Sequence, residues 1–299
     1  PYNQTGSNDG PGIPLRLTSD LNVPVTRATV KETYDQILAD LFESVDLLPE
    51  SDSYKTRPVR ASAHAFLSRV YLSMQDYDNA LDHAEAAITP SWQLIDYNTL
   101  VPSASYPMTR NNSEVLFHCR MTVYTNLSSS RLIIDSLLYN SYENNDIRKT
   151  AWFKTVTGNK TFKGSYDGSS QFFNGFALDE VYLTKAECLA RKGRVEEALI
   201  VLNDLISTRY TAGTYVPYST DNQQEALNFI LLERRKEILF RGIRWMDLRR
   251  LNTDPSTATT LYRNLNGTMY TLAPNSPNYT LPIPDDVIRF SGISQNVRE

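Results

Sequence analysis

The chain has 299 residues, of which 41% are hydrophobic, so it can bury a large core and is globular. Its 30 Lys and Arg against 34 Asp and Glu give a net charge of −4, which argues against a nucleic-acid partner. Cys119 and Cys188 are too few for a disulfide scaffold, and no apolar run reaches the roughly 18 residues of a membrane-spanning helix.

Residues 30–48 form the first predicted helix. Their apolar side chains recur at helical spacing on one face. Thr29 and Glu32 have the spacing of a capping box, and Pro49 marks the end of the pattern. We therefore expect an amphipathic helix that packs one face against the rest of the chain.

Two further segments each have the pattern of two antiparallel helices joined by a tight turn. Residues 61–88 divide at Asp76, and residues 179–206 divide near Gly193. The pattern is that of a tetratricopeptide repeat, in which two helices approach closely where side chains are small. The two copies are far apart in the sequence, so they do not form a continuous solenoid. The small residues are Ser68, Ala80, Ala87, Ala186 and Ala198.

The stretch between the two pairs, residues 91–176, is rich in aromatic side chains and in Asn, Ser and Thr, and is broken by proline and glycine. One apolar helix is expected within it, near residues 130–142. A loop-rich segment of this length inside a helical scaffold is more often functional than a simple connection. We therefore interpret residues 91–176 as an insertion that carries the ligand site.

Residues 233–252, "ERRKEILFRGIRWMDLRRLN", place many basic residues among large apolar side chains. We expect one helix to end at Gly242 and a short helix to follow from Trp245 to Leu251. Arg234 lies on the apolar stripe of the first helix, and an unpaired buried charge costs several kcal/mol, so we predict a buried Arg/Glu network. The alternative, a basic patch for phosphate or nucleic acid, is disfavoured by the interleaved acids. The candidate partners of Arg234 are Glu180, Glu187, Glu233, Glu237 and Asp247.

Residues 253–299 are expected to form a proline-rich, largely irregular tail. Within this tail, Asn266-Gly267 lies between alternating residues and predicts a small β-hairpin. The chain is thus predicted to be all-α and a single domain. Its tetratricopeptide-like scaffold comprises residues 30–90 and 177–252, interrupted by the insertion at residues 91–176.

Four collinear stretches resemble the SusD/RagB family. Residues 233–252 are similar to its C-terminal signature, a Glu-Arg-Arg/Lys-x-Glu helix followed by Phe, Gly and Arg-Trp-x-Asp-Leu. The other three are "GIPLRL" with "VTRATVKETYDQILADLFESVDLLP", then "LDEVYLTKAECLARKGRVEEALIVLNDLISTRY", then "LPIPDDVI" with "GISQNVR". Together they span nearly the whole chain.

The resemblance implies a helical protein built on tetratricopeptide-like pairs. Members of the family are outward-facing outer-membrane lipoproteins of Bacteroidetes-type bacteria, which bind glycans or other nutrients and form a lid over a SusC-like TonB-dependent transporter. Relatives also have a further N-terminal stretch of helices and a lipidated cysteine. This sequence opens on "PYNQTGSNDGPG" without a signal peptide, so we expect the lipid anchor to lie outside it.

No residue pattern indicates catalysis, a metal or a cofactor. Adjacent carboxylates such as Glu196 and Glu197 point about 100° apart on a helix, whereas glycoside hydrolysis needs two carboxyls facing each other across a bond. His64, His83 and His118 are scattered, and no phosphate-binding glycine motif occurs. We therefore expect a protein that is not an enzyme and needs no cofactor.

Sugar binding requires aromatic faces framed by groups that form hydrogen bonds with hydroxyls, and the insertion supplies both. For each residue the alternative is packing against the scaffold, above all for Trp152. The candidate ligand-binding residues are Tyr124, Asn126, Trp152, Tyr166, Phe172 and Phe173.

The predicted function is non-catalytic capture of an oligosaccharide or polysaccharide and its delivery to a SusC-like transporter. The alternative is a tetratricopeptide-type scaffold that binds proteins or peptides and no small ligand. Such scaffolds usually stack at least three contiguous repeats, and the separation of the two pairs in this sequence argues against it.

Overall fold

The structure, a computed structural model, describes residues 2–20, 22–122, 128 and 131–298. The chain divides into two compact units. The first unit comprises Pro1–Leu41, Ser73–Gln75 and Trp245–Glu299, and the second comprises Phe42–Leu72 and Asp76–Arg244. Each is described by itself below.

The N-terminal part of the first unit is a short ribbon that leads into a helix. Strand β1, Pro11–Pro14, pairs antiparallel with β2, Arg27–Thr29, and helix α1 spans Val30–Leu47. The predicted capping box is confirmed, because Thr29 N–H donates to the Glu32 carboxylate (2.8 Å) and Glu32 N–H donates to Thr29 Oγ1 (3.0 Å). These two bonds fix the start of α1.

The first predicted helix pair is α2, Arg60–Met74, followed by α3, Tyr77–Ala87. The break at Asp76 is confirmed, since the Asp76 carboxylate accepts a hydrogen bond from Asn79 N–H (3.2 Å) and caps α3. Ala80 is completely buried, as expected where two helices approach closely.

The insertion contains more strand than its composition indicates. Among the described residues of the insertion and its junction with α6, three antiparallel pairs form, β3 with β8, β4 with β7 and β5 with β6. Partners such as Val115 and Ala177 lie far apart in the sequence, so these pairings have no local signature. The elements are β3 (Val115–Phe117), β4 (Arg120–Met121), α4 (Ser136–Asn140), α5 (Arg148–Ala151), β5 (Phe153–Val156), β6 (Asn159–Phe162), β7 (Phe172–Phe173) and β8 (Phe176–Ala177).

The helix expected near residues 130–142 is only the short α4, so that expectation was too long. The Asp135 carboxylate accepts from Leu137 N–H (3.0 Å) and starts the helix there. Immediately before α4, Ile134 N–H donates to the carbonyl of Lys160 in β6 (2.9 Å), so the backbone at Ile134 pairs with the edge of that strand. A hydrogen bond to another segment therefore replaces the first predicted turns.

The second predicted pair is α6, Leu178–Arg191, and α7, Val195–Ser207, followed by α8, Gln223–Glu237. Helix α6 packs against α3, α7 and α8 and is the centre of the scaffold. Our expectation that the last helix continues to Gly242 was wrong. The helix ends at Glu237 with Ile238 as its C-cap, and Phe240, whose φ is +58°, turns the backbone before the glycine at +78°.

Helix α9 spans Arg244–Leu251, and the C-terminal part of the first unit begins within it, at Trp245. The predicted hairpin is confirmed as β9, Leu261–Leu265, and β10, Thr268–Leu272, with Asn266-Gly267 at the turn. Helix α10, Asp285–Ser291, was not predicted within the tail.

The chain is thus mostly helical with small two-stranded sheets, which confirms the predicted fold class. Within the described residues, none of the helices combines the length and the apolar character that crossing a membrane requires. The domain boundaries at residues 90, 176 and 252 stay predictions.

Two histidines meet between α2 and α3. His64 Nδ1 lies 3.0 Å from His83 Nδ1, and the His83 ring stacks on Tyr71 and contacts Phe42. Such a bond needs one protonated and one unprotonated nitrogen, so it is broken when both rings are charged. Burial lowers the pKa of both imidazoles, with the Arg60 charge adding to the effect at His64.

We expect this pair to make the folded state less stable in mild acid. Because the folded pKa of each histidine lies below the unfolded value of about 6.5, the unfolded chain takes up more protons as the pH falls through that value. The measurement is the free energy of unfolding in urea between about pH 7 and pH 5. A His64→Gln/His83→Gln variant should lose part of the decline; an unchanged decline would contradict the assignment.

Candidate functional site

The basic residues of α8 and its surroundings form a buried ion network. Arg234 is 2% exposed, and its Nη2 lies 3.8 Å from the Glu180 carboxylate, one of the predicted partners. Arg148, completely buried, contacts Asp146, Glu233 and Glu237, each at 2.7 Å. The predicted Arg/Glu network is therefore confirmed and is larger than expected, because α5 of the insertion supplies its central arginine.

One part of the network brings three carboxylates together. Oxygen atoms of Glu114, Asp179 and Glu237 lie within 4.8 Å of one another, a spacing that is compatible with a cation. Arginines already bind them, however: Arg209 contacts both Glu114 and Glu237 at 2.8 Å, and Arg241 donates to Asp179 at 2.7 Å. Guanidinium groups therefore supply the positive charge that this cluster requires.

Burial and ion pairing act in opposite directions on these acids. Burial has the largest single effect on Asp179 and would raise its pKa, but the guanidinium groups of Arg241 and Arg209 and the Glu180 N–H together outweigh burial, so the pKa is lowered. The pKa of Glu114, in contrast, is raised, because burial outweighs the attraction of Arg209. We interpret the network as structural, because its groups are enclosed and bound to one another.

Four of the six predicted ligand-binding residues lie in the core of the second unit. Trp152, Tyr166, Phe172 and Phe173 are each 3% exposed or less and pack in one aromatic cluster. A cavity beside them measures about 10 Å³, far too small for a sugar ring. Ligand contact by these four side chains stays a prediction, and their burial argues for the packing alternative.

The other two predicted residues, Tyr124 and Asn126, lie outside the described part of the chain. They follow Arg120 of β4 by four and six residues in the sequence. Their role as ligand contacts stays a prediction.

A different part of the insertion presents fixed charges to solvent. Asp167, completely buried, lies at the centre: Arg120 Nε donates to its Oδ1 (2.6 Å), and Arg110 Nη2 to its Oδ2 (3.4 Å). His118 Nε2 is 3.0 Å from the same Oδ1. The side chains of Arg110 and Arg120 remain 45% and 42% exposed. A buried carboxylate thus holds two half-exposed guanidinium groups in place.

The loop between α1 and α2 continues this surface. His118 N–H donates to the Lys55 carbonyl (2.6 Å), which ties the loop to the segment that carries Arg120. Lys55 Nζ lies 3.7 Å from the centroid of the Trp92 ring, a cation–π contact. The neighbouring Tyr54 is 62% exposed. We call the set Tyr54, Lys55, Arg57, Arg110 and Arg120 the arginine surface.

The arginine surface combines the residue types that sugars require. Tyr54 offers an exposed ring, and each guanidinium offers several N–H donors whose position is fixed by a carboxylate or an aromatic partner. Lys55 covers one face of the Trp92 ring, and Trp92 also packs against the core. Trp92 therefore positions the lysine. The surface can therefore bind a hydroxyl-rich ligand without large rearrangement.

Two open clefts are found among the described residues of the first unit. One of about 530 Å³ includes Tyr2, Tyr34 and Arg249. Its two tyrosine rings pack edge to face on each other with centroids 5.0 Å apart, so they are partners of each other. The other, of about 880 Å³, is lined largely by residues 22–29 and 290–294, with Phe290 as its aromatic side chain. Neither cleft has the two carboxylate-held arginines of the arginine surface.

Sequence reasoning missed the arginine surface. Its central contact joins Asp167 to Arg110 and Arg120, which are far away in the sequence, and no spacing pattern links them. The local signal that was available is the close succession of Tyr54, Lys55 and Arg57 in a loop. It indicates an aromatic and basic loop but not its partner.

Comparison with known proteins places this architecture in one family. A family model described as the SusD family matches residues 122–297, more than half of the chain. A second, described as starch-binding associating with outer membrane, matches residues 2–72. No curated protein matches the chain.

Solved structures show the same fold. A SusD superfamily protein from Bacteroides thetaiotaomicron is 24% identical with a TM-score of 0.77, and the match covers 97% of this chain and 72% of that chain. A SusD superfamily protein from Bacteroides vulgatus is 23% identical with a TM-score of 0.76, covering 98% and 71%. A SusD-like carbohydrate binding protein, also from Bacteroides vulgatus, is 20% identical with a TM-score of 0.70, covering 96% and 70%.

The fold is therefore that of a helical protein of the SusD superfamily, with an insertion between its two helix pairs. The chain belongs to the SusD/RagB family.

Proposed function

We propose that this protein captures an extracellular oligosaccharide or polysaccharide on the arginine surface and hands it on chemically unchanged. Family membership supports a role in nutrient binding, since one matching family model is described as starch-binding associating with outer membrane. A solved relative of the same fold is described as a carbohydrate binding protein. The observation that carries the proposal is the pair of half-exposed arginines held by buried Asp167, together with exposed Tyr54 in the loop that His118 N–H binds at the Lys55 carbonyl.

The proposed role is non-catalytic. Glycoside hydrolysis needs two carboxyl groups facing each other about 5 to 9.5 Å apart across the bond to be cleaved. On the arginine surface, Asp167 is buried between two arginines, and Asp52 lies 3.7 Å from Arg57. Both carboxylates are thus occupied by cations, which suits binding and leaves neither available as an acid or a nucleophile.

The proposed setting is the outer face of the outer membrane. There the protein, held by a lipid anchor, would deliver ligand to a SusC-like TonB-dependent transporter. The family description "associating with outer membrane" supports the location. In this arrangement the helical scaffold holds the arginine surface and docks on the transporter.

A protein-binding scaffold remains the rival function, because the two helix pairs resemble tetratricopeptide repeats. Peptide grooves of that class are built from contiguous repeats. In this chain the insertion, with its paired strands, lies between α3 and α6 in the sequence. We therefore favour ligand capture by the insertion.

Replacing Tyr54 by alanine is expected to weaken glycan binding about tenfold, or about 1.4 kcal/mol, because an exposed ring near the centre of a contact contributes most of its energy. The ring is 62% exposed, so the free energy of unfolding should change little. The measurement is isothermal titration against a panel of soluble polysaccharides, with the length of the recovered polysaccharide checked afterwards.

Tyr262 is the matched control, because it is 70% exposed and lies on the β9–β10 hairpin of the first unit. Tyr262→Ala should leave the affinity unchanged. Equal losses in the two variants would place the binding elsewhere. A shortened polysaccharide would show that the protein is an enzyme, and no binding by the parent protein would refute the proposed function.

A further inference from the structure

We propose that the ligand of the arginine surface is an anionic glycan, one that carries carboxylate or sulfate groups. This inference rests on the proposed function and adds the chemical class of the ligand. It follows from the balance of charges at the surface, from the geometry of the two central arginines and from the position of the Lys55 ammonium group over the Trp92 ring.

The arginine surface is basic although the whole protein is acidic. Four cationic side chains, those of Lys55, Arg57, Arg110 and Arg120, are accompanied by the carboxylates of Asp52 and Asp167. The whole chain, in contrast, has a net charge of −4. Positive charge concentrated on one surface of an acidic protein attracts anions locally while the rest of the molecule repels them.

Asp167 cannot neutralise the arginines that it holds. It is a single carboxylate, completely buried, between Arg110 and Arg120. Each guanidinium has five N–H donors. Asp167 accepts one from Arg120, and its carboxylate and carbonyl accept two from Arg110. One positive charge and several donors therefore remain for a ligand, and guanidinium donors match the paired oxygens of carboxylates and sulfates.

Lys55 contributes a second fixed charge. Its Nζ rests over the Trp92 ring at 3.7 Å, and among the described residues no carboxylate oxygen lies within 4.0 Å of it. Partial burial lowers the pKa of this lysine, because burial penalises the charged form. A negatively charged ligand group next to Nζ would offset that desolvation, whereas a neutral sugar would not.

The charge of the ligand separates this inference from the proposed function. Each pair of probes has one backbone in a charged and a neutral form: polygalacturonate with its methyl ester, and dextran sulfate with dextran. We expect the charged form of at least one pair to bind at least about tenfold more tightly. Its affinity should fall as ionic strength rises from about 0.05 M to about 0.5 M. The pair that shows the difference identifies carboxylate or sulfate as the recognised group.

Three variants assign the binding to the surface. Arg110→Gln and Arg120→Gln should each weaken binding of the charged probe about tenfold. Lys55→Gln should have the same effect, and removing this lysine leaves none of the described carboxylates without its cation. Arg194→Gln is the matched control, because Arg194 is 42% exposed, as Arg120 is, and binds Glu197 on α7. Thermal unfolding of each variant shows whether it remains folded.

The outcomes distinguish failure of this inference from failure of the proposed function. Equal affinity for the charged and neutral forms would overturn the inference and leave glycan capture standing. Charged probes that bind the three variants as tightly as the parent protein would also overturn it, because binding would then be nonspecific or elsewhere. No binding of either form, or of any other polysaccharide, would overturn both.

Discussion

Replacing Arg148 by alanine is expected to lower the free energy of unfolding by about 3–5 kcal/mol. The side chain is completely buried and contacts Asp146, Glu233 and Glu237, each at 2.7 Å. When Arg148 is removed, Lys236 and Arg209 remain as counter-charges for the three buried acids. Urea denaturation followed by circular dichroism measures the loss, and the slope against urea should not change.

The control for this prediction is Arg194→Ala. Arg194 also forms a two-point contact with a carboxylate, that of Glu197 (2.7 and 2.6 Å), but both groups are half-exposed. Water screens an exposed pair, so Arg194→Ala should lower the free energy of unfolding far less than Arg148→Ala. If Arg148→Ala does not fold, Arg148→Lys keeps one charge and should give an intermediate stability. Similar small losses at both positions would contradict a buried network.

Trp152→Ala should also destabilise the protein by about 3–5 kcal/mol, since it removes a large side chain that is 1% exposed and opens a cavity. The ring packs near Tyr97 and Phe162, with centroid distances of 6.1 Å in both cases. We expect no change in glycan affinity, provided that the variant is studied well below its unfolding temperature. Thermal unfolding and isothermal titration together separate the two effects.

This variant decides between the two interpretations of Trp152 that the sequence left open. A loss of affinity without a loss of stability would identify the indole as a ligand contact, against its burial. Trp245→Ala serves for comparison, because that tryptophan is 37% exposed and should cost less stability.

The helices of the scaffold could be predicted because their signals are local. Thr29 and Glu32 are three residues apart, and Asp76 directly precedes the helix that it caps. The burial of Arg234 could also be predicted, since its position on an apolar stripe requires it. Its partner Glu180, however, could be predicted only as one of five candidates. The sequence of neither helix specifies how closely the two helices approach each other.

The insertion could not be predicted to the same depth, because its structure depends on pairing between distant residues. The strand of Phe173 pairs with that of Arg120, and the Phe173 ring packs in the aromatic cluster of the second unit; neither segment alone shows this. In the sequence, an aromatic residue that packs inward has the same surroundings as one that faces a ligand. The four buried candidates, Trp152, Tyr166, Phe172 and Phe173, illustrate this ambiguity.

The two cysteines of the chain differ sharply in accessibility, and this difference gives direct access to the proposed site. Cys119 is exposed and adjoins Arg120, whereas Cys188 lies completely buried within α6. A thiol-reactive dye added to the native protein would therefore attach to Cys119 alone, since reagents reach only the accessible sulfur. The wild-type chain can thus carry a fluorescent reporter next to the arginine surface, and ligand binding can be followed without introducing a new cysteine.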